Sequence, residues 1–139
     1  MKSERDELVT FYRRYLACSN ERRFDDLGEF VDENVRINGN PAGLKAYADG
    51  LREVVEAFPD YHWDLQHLLV DGDWLSAHLI DTATHTGTPF LGIAATGRLI
   101  RIHELAIYRL DNRRIIDCWG DLGSAARDHL TQGSPPIPG

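Results

Sequence analysis
Up to Phe58 the apolar positions of this chain recur with a helical period, and after Pro59 they recur with a period of two. Leu8, Phe11, Tyr12, Tyr15 and Leu16 fall at i, i+3, i+4, i+7 and i+8, one stripe of a first helix, with Ser3 and Asp6 placed as a capping box at its start. A short second helix fits Phe24–Val31 and a brief strand fits Val35–Asn38. Leu44, Tyr47, Leu51, Val54, Val55 and Phe58 mark a third, amphipathic helix that Pro59 stops. Four strands are predicted beyond it, over Tyr61–Val70, Trp74–His85, Leu99–Leu110 and Arg114–Gly120. Asp71-Gly72-Asp73 joins the first pair as a tight hairpin, and Asp111-Asn112-Arg113 joins the last. The longer connection, THTGTPFLGIAATGR, is rich in Gly and Pro and belongs at the mouth of whatever the sheet encloses. A last helix fits Ser124–Leu130. Helices followed by antiparallel strands make an α+β pattern, with three N-terminal helices packed on a strongly curved, mainly antiparallel sheet.

Composition narrows the function classes. A chain of 139 residues is expected to form one domain, over 1–130, with the tail Thr131–Gly139 loose because it is Pro/Gly-rich. With 22 acidic against 15 basic side chains the net charge is −7, which argues against phosphate-driven nucleic-acid binding and against docking on anionic lipid. The charged start carries no signal-peptide pattern and no stretch has the length of a membrane span. Cys18 and Cys118 are far apart, so the default compartment is a reducing cytoplasm. No dinucleotide, P-loop or nucleophile-elbow motif is present, and the six histidines show no ligand spacing, so neither a cofactor nor a metal is expected.

Several stretches together point to a family. AFPDYHWDLQHLLVDGD, THTGTPFLGIAATGR, the Ile-Tyr-Arg of Ile107–Arg109, and Ile115 followed by Trp119 occur in this order over Gly43 to Leu122. In these pieces the chain resembles the SnoaL-like polyketide cyclases, also described as ester cyclases. The resemblance implies an NTF2-like cone, the cystatin-like α+β barrel, usually dimeric through the open face of its sheet. It also implies an apolar small-molecule substrate and, in members with assigned activity, ring closure by intramolecular aldol condensation. Many members carry a His just before the strand's Trp and an Asp four residues after it; here those places hold Cys118 and Gly123, and an acid stands instead at Asp121.

An aldol closure needs a base for a proton α to a carbonyl, and a carboxylate or His in an apolar pocket suits that task. Strand parity selects the candidates. Leu75, Ala77 and Leu79 share a face with Asp81 and His85; Leu105 and Ile107 share one with His103; Ile115, Asp117 and Trp119 share one with Asp121. The catalytic candidates are therefore Asp121, supported by His103, and Asp81. Phe11, Tyr15, Leu51, Val55, Leu79, Leu105 and Trp119 are expected to border the pocket, with Asn38 as a polar contact from the first strand, whereas Cys118 is expected on the opposite face from Trp119. The competing readings are a binding or interaction module on the same cone, and a hydrolase or isomerase; an epoxide hydrolase needs an inward Arg between two acids, and these inward sets offer none. The outer set Trp74, Ser76, His78, Ile80 and Thr82 is too apolar to stay wet and predicts a homodimer.

Overall fold
A computed structural model describes residues 3–132 of the chain. Helix α1 spans Glu4–Asn20 and opens on the expected box, in which Ser3 Oγ accepts from the Asp6 N–H (3.1 Å) and the Ser3 N–H donates to Asp6 Oδ2 (3.4 Å). The second helix is a 3-10 segment, Phe24–Glu29, shorter than the reading of Phe24–Val31 because Val31 already begins strand β1 (Val31–Ile37). Asn38 and Gly39, with φ of 51° and 81°, turn the chain into the short strand β2 (Asn40–Pro41). Helix α2 spans Leu44–Ala57, followed by β3 (His62–Asp71), β4 (Trp74–Thr84), β5 (Leu99–Asp111), β6 (Arg114–Gly120) and α3 (Leu122–Gln132). The tail expected from 131 onward begins inside α3, and 133–139 lie outside the described residues.

The strands form one mixed sheet in the order β2-β1-β6-β5-β4-β3, open rather than closed into a barrel. Every neighbouring pair is antiparallel except β1 with β6. The helices cover the concave face. Tyr12 from α1, Phe58 beside α2, Tyr61, Leu75, Leu79, Ile102 and Ile115 from the sheet side are all essentially inaccessible and form the core between the two layers. Burial alternates strictly along β4 and β5, the signature of a sheet with one packed and one open face.

Two local features shape the concave side. Leu110 pairs with Ile115 but Arg109 pairs with Asp117, so Ile116 is an extra residue on β6, a β-bulge. Beyond it the facing of the strand inverts: Cys118 opposes Tyr108 on the inner face and Trp119 opposes Ile107 on the outer one. The second feature is the 85–98 connection, which folds back over the end of α2. Gly87 N–H donates to Ala57 O (3.0 Å) and Thr88 N–H to Glu56 O (3.1 Å), satisfying two carbonyls of the last helical turn. Buried His85 pins the same connection: its Nδ1 accepts the Thr96 N–H (3.2 Å), which leaves the Nε2–H to donate to Thr88 O (3.3 Å).

Candidate active site
Between α1, α2 and the concave face of the sheet lies a cavity of about 320 Å³. Its wall is mostly apolar: Leu16, Ile37, Leu51, Val54, Leu79 and Ala106 contribute, and Phe90 and Leu91 reach it from the 85–98 connection. Its polar groups fall in two sets. Four tyrosines form the first. Tyr12 Oη lies 2.9 Å from Tyr108 Oη, and Tyr15 Oη is hydrogen-bonded to Tyr47 Oη. Two hydroxyls sharing one hydrogen bond retain one O–H for another acceptor. Around the second pair the acceptor at hand is the weak one of Cys118 Sγ, 4.0 Å from Tyr47 Oη.

The second set is a pair of carboxyl groups. Glu104 lines the cavity, and Asp81 stands diagonally from it, since Leu79 is the register partner of Glu104 and Ile102 that of Asp81. Tyr61 O–H donates to Asp81 Oδ2 at 2.6 Å, while Asp81 Oδ1 and Glu104 Oε1 are both buried without a donor from other side chains. Two acceptor oxygens buried next to each other are reconciled by one proton held between the groups. Ser19 Oγ, from α1, is a third buried and unpartnered atom at the cavity wall.

The sequence of the SnoaL-like polyketide cyclase family matches residues 9–125, which contain every one of these groups. The chain belongs to the SnoaL-like polyketide cyclase family. Among solved structures, a SnoaL-like polyketide cyclase from Agrobacterium tumefaciens str. C58 is 30% identical, superposes with a TM-score of 0.76, and is matched over 94% of this chain and 99% of its own. TsrD from Streptomyces laurentii shares the fold with a TM-score of 0.81 at 22% identity, over 96% of this chain and 100% of its own. No curated protein matches this SnoaL-like chain in sequence. No helix among the described residues is long and apolar enough to cross a membrane.

The sequence-predicted site residues separate on folding. Tyr15, Leu51 and Leu79 lie on the cavity wall, and Asp81 is fully buried beside it. Three expected inward residues face outward instead. Leu105 is 69% exposed and His103 shares its face, because Ile102, Glu104, Ala106 and Tyr108 hold the inner positions of β5. Trp119 stacks on Trp74 on the outer face, ring centroids 5.7 Å apart, because the bulge at Ile116 inverts the parity that had grouped it with Ile115. The same inversion brings Cys118 inward, against the reading that placed it on the opposite face. Asp121 is exposed immediately before α3, where its carbonyl accepts the Ala125 N–H, and it does not line the cavity. Phe11 packs edge-on against Phe30, and Val55 packs against the core away from the cavity. Asn38 is exposed and works in the backbone: it occupies the positive-φ turn, and its Oδ1 accepts the Gly120 N–H at 3.0 Å. Asn-Gly is a strong type I′ hairpin signal and predicts that role. Glu104, Trp63, Tyr47 and Tyr108, and the pairing of the tyrosine hydroxyls, are what sequence reading missed in the cavity. Among the described residues no Arg lines the cavity, so the acid–Arg–acid set of an epoxide hydrolase is not assembled from them there.

Electrostatics sharpen the carboxyl pair of this SnoaL-like protein. Burial pushes the Glu104 carboxyl well above its usual range, and the neighbouring Asp81 adds to the rise, while the Trp63 side chain acts as a donor in the opposite sense. Burial also raises Asp81, against hydrogen bonds from Glu104 and Tyr61 that favour its charged form. Both carboxyl groups are thus raised together, and the proton they hold belongs to the pair. Burial pushes the Cys118 thiol up to about 12, so it is not a nucleophile at neutral pH. The four cavity tyrosines are likewise raised, chiefly by burial, and remain neutral donors.

Raised carboxyl pKa values have a stability consequence. The folded protein keeps a proton that the unfolded chain releases, so the contribution is complete below the ordinary carboxylate values and is lost as pH rises through the folded ones. Melting temperature is therefore expected to fall through this pair as pH rises above the ordinary carboxylate range, and Asp81→Asn with Glu104→Gln should flatten that slope in a thermal denaturation series. An unchanged slope in the double variant would remove the buried pair as its source.

Proposed function
We propose that this chain is an acid–base enzyme that moves a proton α to a carbonyl in an apolar, polyketide-like molecule, the chemistry of an intramolecular aldol closure. One observation carries the reading: two buried carboxyl groups with orphaned oxygens stand at the wall of a cavity that four tyrosine hydroxyls also line. In this reading Glu104 passes its proton to Asp81 and takes the α-proton from the substrate carbon. The C–H electron pair becomes an enolate, whose oxygen accepts an O–H from a tyrosine pair. The enolate carbon then bonds to a second carbonyl carbon of the same molecule, and the resulting alkoxide takes a proton back from Glu104. Asp81 returns its proton to Glu104, so the pair ends as it began. A base with a raised pKa and preorganised neutral donors are what this step requires.

The test is α-proton exchange into deuterated water with 1-tetralone, an apolar bicyclic ketone, followed by NMR. Binding together with catalysed exchange supports the enzyme; binding without exchange assigns the cavity to a non-catalytic ligand-binding module, the second reading.

We also infer that two copies pack through the outer sheet face. Five of the six exposed large hydrophobic side chains among the described residues lie there, namely Leu69, Trp74, Leu99, Leu105 and Ile107. Such clustering is unusual for a wetted surface and usual for an interface. Light scattering at micromolar concentration is expected to return twice the chain mass.

A further inference from the structure
The sixth exposed large hydrophobic side chain among the described residues is Leu91, on the cavity side of the molecule at the tip of the 85–98 connection. Phe90 N–H donates to Ile93 O at 2.8 Å and Ile93 N–H to Phe90 O at 2.9 Å, so Leu91 and Gly92 form a two-residue hairpin turn. Their φ angles are 47° and 81°. Positive φ at both positions marks a type I′ turn, which favours Asn-Gly. The chain uses that pair for nearly the same angles elsewhere, at Asn38 and Gly39 with 51° and 81°. A leucine in left-handed backbone crowds its Cβ against the following carbonyl, so Leu91 is unfavourable for the turn that holds it. The reason for a leucine here therefore lies in its side chain.

That side chain stands where the cavity meets solvent. Most of the cavity wall is buried or half-buried, and its exposed members are Leu91 together with Ala46, Gly50 and Glu53 on one face of α2. The α2 rim is low, with a methyl group at Ala46 and no side chain at Gly50. Leu91 itself reaches the first turn of α3, where a Cβ on Gly123 would lie 3.9 Å from Leu91 Cδ1. The large apolar group at the opening is therefore the Leu91 side chain. Both flanks of its turn are anchored. Gly87 and Thr88 bond to the end of α2 on one side, and on the other Gly97 N–H donates to His85 O at 2.8 Å. With the flanks fixed, the side chain at the tip is the part that can move aside. We propose that Leu91 is the gate residue of the cavity, the side chain that an apolar ligand must displace to enter or leave. Of the function proposed above, this uses only the part that gives the cavity an apolar ligand.

The test is stopped-flow binding of 1-tetralone to the full chain, read by tryptophan fluorescence because Trp63 lines the cavity, with thermal denaturation alongside. Leu91→Asn gives the turn its preferred Asn-Gly and removes the apolar gate. Association and dissociation rates should both rise by about 10-fold, the scale set by one apolar side chain's contacts at the opening, with the dissociation constant nearly unchanged. The melting temperature should rise by about 2–5 °C, because Asn tolerates left-handed backbone. Leu91→Ala removes the gate but keeps the unfavourable backbone, so it should speed both rates without that gain. A dissociation rate that rises alone makes Leu91 a wall contact and overturns the gate, as do unchanged rates. A lower melting temperature for Leu91→Asn makes Leu91 a packing residue of the turn and overturns it too. Failure of 1-tetralone to bind any of the three proteins overturns the apolar-ligand cavity and the gate with it. Gated binding without α-proton exchange supports the gate and removes the enzyme.

Discussion
Glu104→Gln is expected to lose 10²- to 10⁴-fold in α-proton exchange, the usual cost of removing a working general base. Gln keeps the shape of the side chain, and its amide N–H can donate to Asp81, but it cannot take the α-proton. The same substitution should raise the melting temperature at about pH 8, because it removes one of two carboxyl groups that burial penalises. Opposite signs for activity and stability are the diagnostic outcome, since a merely structural Glu104 would give a loss of both. Asp121→Asn and His103→Gln, outside the cavity on exposed positions, should retain exchange within a few-fold. If Glu104→Gln also stays within a few-fold of the wild type, the carboxyl pair is not the base.

Gly87→Ala should be among the most destabilising single-atom additions this chain can receive. A Cβ at Gly87 would lie 1.8 Å from Glu56 O and 2.9 Å from its carbonyl carbon, backbone atoms at the end of α2 that cannot swing aside. Either the connection lifts, losing its bonds to the Glu56 and Ala57 carbonyls, or the helix end moves. A loss of about 2–4 kcal/mol is expected, at the upper end of single substitutions. Because Phe90 and Leu91 of the same connection line the cavity, 1-tetralone binding should weaken as well. The contrast is Gly50→Ala inside α2, where nothing lies within 4 Å of the added atom and helix propensity predicts a gain of about 0.5–1 kcal/mol. Urea denaturation of both variants reads the two signs. Equal stability of Gly87→Ala and wild type would mean that the close approach is relieved without cost.

What the sequence alone determined is what depends on neighbours along the chain. The Ser3–Asp6 cap, the stripes of α1 and α2, the Pro59 stop, the hairpins at Gly72 and Asn112, and the alternation of β4 follow from local periodicity and backbone preference. The family was legible for the same reason, because its motifs are contiguous stretches. The site depended on the tertiary structure. Parity is safe only while a strand stays regular, and one extra residue at Ile116 sent Trp119 out and brought Cys118 in. On β5 the apolar residues Leu105 and Ile107 suggested the wrong face, since the open side of a sheet can also carry large apolar residues; the inner positions hold Glu104, a residue that hydropathy alone assigns to solvent. The carboxyl pair and the tyrosine pairs each join residues from different elements. They arise only when the register of the sheet and the packing of α1 and α2 bring those groups together.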